Sequence, residues 1–208
     1  IHPELGEFFR MMQDRGLMDL VSRKGKAAGG FCTSLEGGSP FIFANFNGTH
    51  YDMHTFTHEM GHAFQCWLSR TNYPMDLLWP TLESCEIHSM SLEFFSAPHM
   101  ELFFGDDADR YRRMHLTESL SFIPYGVAVD HFQHLVYESP DATPADRRQM
   151  WLEMEATYLP WRNWADIEHG ATGGGWHKQS HIFASPFYYI DYVLALTCAL
   201  QFWARMRR

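Results

Sequence analysis

Long apolar runs are missing from this chain. No stretch reaches the roughly 18 consecutive apolar residues of a membrane-spanning helix, so no membrane partner is expected. Clustered positive charge is missing as well. Lys and Arg number 16 against 25 Asp and Glu, a net charge of −9, and only "SRKGK" and "RMRR" are basic. That balance argues against nucleic-acid binding. Cysteine is scarce and scattered: Cys32, Cys66, Cys85 and Cys198 form no CxxC pair. Buried thiols in a reduced, cytoplasmic setting are the expectation. Signal-peptide pattern, internal repeats and low-complexity tracts are absent too. What is plentiful is aromatic and imidazole: 16% of residues are Phe, Trp or Tyr, and 13 are His. At 208 residues the chain is long enough for a substantial core.

The histidines concentrate informatively in "HTFTHEMGHAFQ", His54 to Gln65. Phe56, Met60, Ala63, Phe64 and Trp67 recur at three- and four-residue spacing, which predicts a helix with an apolar face. His58 and His62, four apart, lie on one side of it with Cβ atoms about 5–6 Å apart. Both can reach one cation, because Zn–N bonds are about 2.0–2.1 Å. Glu59 projects about 100° further round, clear of the ligand positions but close enough to act as general base. Gly61 costs roughly 1 kcal/mol of helix stability against Ala, and its missing side chain suits close packing beside a metal. His54, one turn earlier, can brush the site. HExxH alone is short, and 13 histidines make an accidental match possible.

A zinc enzyme needs a third protein ligand and an open position. "TLESCEIHSMSLEFF" predicts a second helix through Leu82, Cys85, Ser89, Leu92 and Phe95, with Thr81 as its cap. It carries Glu83, Glu86 and Glu93, the last two sharing a face at two turns' separation. One could bind the ion while the other orients a ligand histidine. No Lys or Arg lies between Thr71 and Glu101, so a merely solvated acidic face is a poor description. Such acids are costly to bury without a cation. His88, following Glu86, is a candidate to face substrate.

Together these two segments resemble the thimet oligopeptidase and oligoendopeptidase F family of zinc metallopeptidases, most closely its bacterial oligoendopeptidase F and Pz-peptidase branch. The resemblance implies a mainly α, zincin-like catalytic core with a small β-hairpin or sheet beside the HExxH helix. It implies one Zn2+ per chain, held by His58, His62 and Glu86, with Glu59 as base and Glu93 orienting a ligand histidine from behind. Glu86 fits the family's register, 24 residues past His62, and Glu83 does not.

Two further segments extend the resemblance. "KAAGGFCTS" and "SPFIFANFNGTH" predict a hairpin, with Phe31 and Thr33 alternating, then Phe41, Ile42, Phe43 and Phe46, around a Leu35–Ser39 turn containing Gly37 and Gly38. In the family a strand edge here pairs with extended peptide, which makes Gly30, Phe31, Ala44 and Asn45 candidate substrate contacts. "GATGGGWHKQSHIFASPFYYIDY" predicts a mobile glycine-rich loop over Gly170–Gly175 and a helix opened by Pro186. By resemblance His181 and Tyr192 contact substrate and the tetrahedral intermediate, with Tyr188 and Tyr189 as alternatives. Tyrosines at helical spacing are also ordinary half-buried core residues. His2, His99, His115, His131, His134, His169 and His177 show no shared ligand pattern.

The remaining pattern is helical: one helix over Glu4–Arg23, two split around Pro124, one capped at Thr143 and Pro144, and a last one from Pro186 to the end. Family members are several times longer and bury their zinc in a channel against an N-terminal helical region. Residues 1–208 therefore read as a catalytic core, either excerpted from a longer chain or an unusual short form. The expected activity is endopeptidase cleavage of short peptides. The alternatives are a metallocarboxypeptidase or aminopeptidase, for which Arg162 is a weak candidate to capture a carboxylate, and a non-catalytic zinc-stabilised peptide-binding module. Side-chain preference and oligomeric state are not written in the sequence.

Overall fold

The computed structural model describes residues 2–35, 38–72, 74 and 77–207. They are mainly helical, with one three-stranded sheet, and divide into two compact units. The first comprises Ile1–His115 and Ala195–Arg208, the second Leu116–Leu194.

In the first unit, helix α1 runs over Pro3–Asp14, with Pro3 at its start and His2 accepting a hydrogen bond from Glu4 N–H. It does not continue to Arg23 as the pattern predicts. Gly16 takes a left-handed φ of 62°, Gly16 N–H bonds Gln13 O at 3.0 Å and Leu17 N–H bonds Met12 O at 3.0 Å. This is a glycine-stopped helix end, sealed by the apolar pair Met12 and Leu17. The chain then enters strand β1, Met18–Val21.

Strands β2, Phe31–Leu35, and β3, Ser39–Phe46, form the expected antiparallel hairpin. Gly38 closes its turn at φ 72°, while Gly37 lies outside the described residues. Strand order is β1-β3-β2, with β1 parallel to β3. β3 is therefore central, and Ile42 on it is fully buried.

Helix α2, His50–Ser69, packs its apolar stripe on this sheet and α1. Met60 and Ala63 join Phe8, Met12, Leu17 and Ile42 in one core cluster. Full burial of a Phe8-sized side chain stabilises by roughly 1.5–3 kcal/mol. Helix α3, Leu82–Ser96, crosses α2 closely. Thr81 precedes it, but its hydroxyl meets Ser84 Oγ at 3.2 Å and makes no cap bond to the backbone. Beside Cys85 and Phe94, the buried residues of α3 are polar: Ser89, Ser91, Ser96, Glu86 and Glu93. Ser89 and Ser96 donate back to the carbonyls of Glu86 and Glu93 at 3.0 and 2.8 Å, which satisfies buried hydroxyls within the helix. Short α4, Glu101–Phe104, follows.

Helix α5, Ala108–Glu138, is continuous through Pro124, so the two helices expected there are one. Proline removes a single hydrogen bond, and the buried residues Ala128, Val129 and Phe132 beyond it hold the helix in the second unit's core. Helix α6, Pro144–Tyr158, begins with the expected cap. Asp146 N–H donates to Thr143 Oγ1 at 3.2 Å and Thr143 N–H to Asp146 Oδ2 at 2.8 Å, a capping box. Trp151 and Met154 complete that core.

The glycine-rich segment 170–175 is not the loose loop predicted. Gly170, Gly173, Gly174 and Gly175 are buried, and a Cβ at Gly170 or Gly175 would strike the Trp164 indole at 2.2 or 2.7 Å. These glycines permit close packing. Short α7, His181–Ala184, leads to α8, Tyr189–Met206, which spans the boundary between the units. α8 starts three residues after Pro186, because Phe187 turns at φ 62° with its N–H on Gln133 Oε1 at 2.9 Å.

Candidate metal centre

α2 presents His58 and His62 on one side, their ring centroids 4.9 Å apart. The close crossing of α3 brings Glu86 to both. Glu86 Oε2 lies 3.1 Å from His58 Nε2 and 3.4 Å from His62 Nε2. Ser89 Oγ holds the same oxygen at 3.0 Å. Four ligands at 2.0–2.1 Å about a tetrahedral zinc sit about 3.3–3.4 Å from each other, so these two contacts are near the spacing of ligands on one zinc ion, and all three ligand atoms lie within 4.8 Å of one another.

The crossing depends on Gly61. A Cβ there would lie 2.6 Å from Ser89 Cα and 2.7 Å from His88 O. Glu83 is outside the ligand group.

The electrostatics ask for a cation. Burial alone would raise the Glu86 carboxyl, but hydrogen bonds from His58 and His62 outweigh it and hold it well below the usual range. Burial alone would lower the His58 imidazole, yet Glu86 and Glu93 hold it well above.

Glu59 is 6% exposed. Burial raises its carboxyl, against the pull of His58 and His62. Its Oε2 is buried with no hydrogen-bond partner. Buried carboxylate oxygens are rarely left unpaired, and here candidate ligands stand one residue before Glu59, at His58, and three after it, at His62.

Behind His58, Glu93 Oε1 accepts from Nδ1–H at 2.7 Å. That keeps the proton on Nδ1, so Nε2, the nitrogen on the Glu86 side, is the one left to bind a metal. Glu93 Oε2 meets His115 Nε2 at 2.8 Å and His54 Nε2 at 3.0 Å. His115 carries no local motif and arrives on α5, 22 residues after Glu93, so sequence reasoning passed it over. Its one signal is Tyr111 a turn earlier, marking a buried helix face.

Other candidates resolve individually. Gly30 is exposed on the approach to β2, and a Cβ there would lie 2.9 Å from Thr55 Cγ2 and 3.7 Å from Glu59 Oε1. Phe31, half exposed, stacks on Phe43 at 4.9 Å. Ala44 and Asn45 require correction: they sit on the central strand, not on an edge. The Ala44 side chain is fully buried, and the Asn45 amide donates to Ala27 O and Gly29 O at 2.9 and 2.8 Å, bracing the loop before β2. His88 is exposed on the wall of an apolar groove of about 800 Å³ that also takes in Gly61, Phe64, Leu68 and Phe95 but none of the candidate ligands.

In the second unit His181, Tyr188, Tyr189 and Tyr192 form one cluster. Their ring centroids lie 5.9, 5.1 and 5.7 Å from the imidazole. Gln179 Nε2 meets His181 Nδ1 at 2.7 Å, and Tyr192 Oη is 3.5 Å from Nε2. Tyr189 is buried in the core; Tyr188 and Tyr192 are only partly covered. His131 and His134 pair with Tyr158 and Asp130, as isolated histidines do.

The family model for peptidase family M3 matches residues 6–208. The chain belongs to peptidase family M3. Solved M3-like structures agree along its length. Pz peptidase A bound to an inhibitor is 55% identical, with a TM-score of 0.96. A protein provisionally named oligoendopeptidase F is 57% identical at 0.96, and another, from Bacillus anthracis, is 51% identical at 0.85. Each match covers 99% of this chain but only 37, 37 and 34% of the other, so the chain spans little more than a third of those proteins. No curated protein matches. Membership bears out the resemblance and the mainly α zincin-like core.

Proposed function

We propose that this chain is the catalytic core of a zinc endopeptidase that hydrolyses short peptides. The observation that carries the reading is the convergence of His58 Nε2 and His62 Nε2 on Glu86 Oε2, with the unpartnered Glu59 Oε2 beside them. His58, His62 and Glu86 hold one Zn2+. The ion supplies Lewis acidity, polarising the scissile carbonyl and lowering the pKa of water toward about 7. Glu59 takes the proton of the attacking water and delivers it to the leaving amine. Its raised carboxyl makes it a stronger base than a solvated glutamate. Gly30 leaves room beside Glu59, and the outer edge of β2 at Gly30 and Phe31 accepts extended peptide by strand addition. The Tyr192 hydroxyl, backed by His181, donates to the developing oxyanion, with Tyr188 as the alternative. Tyr189 serves packing.

The exopeptidase alternative loses its one candidate. Arg162 Nη1 is paired with buried Glu155 at 3.1 Å, which argues against its serving a peptide carboxylate. A purely structural zinc site has no use for Glu59. The four cysteines are free, which suits work in the reduced cytoplasm; no described helix is long and apolar enough to cross a membrane.

The test is cleavage of a fluorogenic peptide blocked at both ends, by this chain and by the full-length protein. Cleavage that stops with chelator and returns with zinc is expected. Cleavage indifferent to chelator, or confined to peptides with a free end, overturns the reading.

A further inference from the structure

Glu93 is the hub of a buried network larger than orienting His58 requires. Its side chain is 4% exposed. Oε1 accepts from His58, while Oε2 accepts from both His115 and His54. A glutamate on its own can swing about its last two bonds. Two N–H donors on the far oxygen fix the carboxylate plane, which keeps Oε1 at His58 Nδ1. The His115 ring is itself clamped. It is 5% exposed, lies parallel to Tyr111 at 6.0 Å and packs on Phe94 at 4.8 Å. His54 stands one helical turn before His58 and 5.3 Å from the His115 ring.

His54, Glu93 and His115 also have the composition of a second metal site. The distances speak against it. At 2.8 and 3.0 Å the nitrogens are at hydrogen-bonding distance from one oxygen, closer than the roughly 3.3 Å between ligands on a tetrahedral zinc.

We propose that His115 and His54 are positioning residues for the metal: by holding Glu93 they set the ring of His58, and so tie α5 to the affinity of the zinc site. The inference rests on the zinc reading above. Outer partners of metal-ligating histidines are worth about 10–100-fold in affinity.

The test is zinc affinity of the metal-stripped chain by competition with a chromophoric chelator. Parent protein that binds no zinc ends the zinc reading itself. Given parent binding, His115→Phe should lose about tenfold in affinity, the lower end of that range. His115→Gln, which keeps an N–H donor near the Nε2 position, should stay within about threefold. In a Glu93→Ala background His115→Phe should cost less than about twofold, because the hub is gone. Equal losses in both backgrounds would mean simple packing damage and overturn the proposal, as would unchanged affinity. Two zinc ions per parent chain would also overturn it, by making the cluster a metal site. Should His115→Phe not fold, the same cycle is decided with His54→Phe, whose side chain is 28% exposed. A loss of about threefold, absent without Glu93, supports the proposal, and no loss refutes it.

Discussion

Gly61→Ala is the smallest change that should unmake the metal centre without touching a ligand. The new Cβ would lie 2.6 Å from Ser89 Cα, 2.7 Å from His88 O and 3.0 Å from Ser89 N. All three are backbone atoms, so no side chain can rotate away. Restoring a carbon contact of about 3.5 Å requires α3 to retreat by roughly 0.9 Å. Glu86 rides on α3 while His58 and His62 ride on α2, and metal sites tolerate only about ±0.2 Å. Two stability terms oppose each other. Ala gains about 1 kcal/mol of helix propensity over Gly, whereas overpacking costs about 1–3 kcal/mol. Net stability should fall by up to about 2 kcal/mol, but zinc affinity should fall at least about tenfold, or 1.4 kcal/mol. Gly6→Ala in α1 is the control. Its Cβ would meet only Arg10 Nη1 at 3.8 Å, so it should raise Tm by about 2–4 °C and leave zinc alone. The assay is chelator competition beside thermal unfolding. Gly61→Ala that binds zinc like the parent and melts higher would refute the close-crossing argument.

Glu59→Gln should keep zinc and fold but abolish turnover, since an amide cannot accept the water's proton; peptide cleavage near the parent rate would remove Glu59 as base. Glu86→Ala should strip the metal while Glu83→Ala leaves it, read by elemental analysis, and the reverse result would mean a wrong ligand. Tyr192→Phe keeps the ring, so Tm and zinc content should hold while kcat drops by about 10²–10³ with KM little changed; parent kcat would return Tyr192 to packing. Burial pushes the Cys66 and Cys85 thiols up to about 11. At pH 8 their thiolate fraction is then roughly a hundredfold below that of an ordinary thiol. Iodoacetamide should leave both unmodified in native protein and label them in urea, and rapid native labelling would contradict their buried placement.

The two histidines and the pair of candidate carboxylates were legible because helix periodicity turns spacing into geometry, while the choice of Glu86 as ligand came from the family resemblance. His58 and His62, four positions apart, and Glu86 and Glu93, seven apart, each define a face before any fold is known. The hairpin was legible for the same reason at period two. What the sequence hid was long-range or backbone-encoded. His115 joins Glu93 through the packing of α5 and carries no spacing of its own. α1 stops at Gly16 through an αL turn, although Gly16-Leu17 after an apolar face was a readable stop signal. Pro124 looked like a break because proline's local cost is plain, whereas the tertiary contacts that override it are not. The glycines of 170–175 looked mobile because small residues suit both loose loops and tight packing. Ala44 and Asn45 were misjudged because nothing local announces that β1 pairs on the far side of β3.

The central claim is that His58, His62 and Glu86 hold one zinc. X-ray absorption on the zinc-loaded chain tests it directly. One equivalent of zinc is expected, with two imidazole nitrogens and a carboxylate oxygen at about 2.0–2.2 Å and no sulfur. A sulfur shell at about 2.3 Å, or a metal-replete chain that retains no zinc, would contradict it.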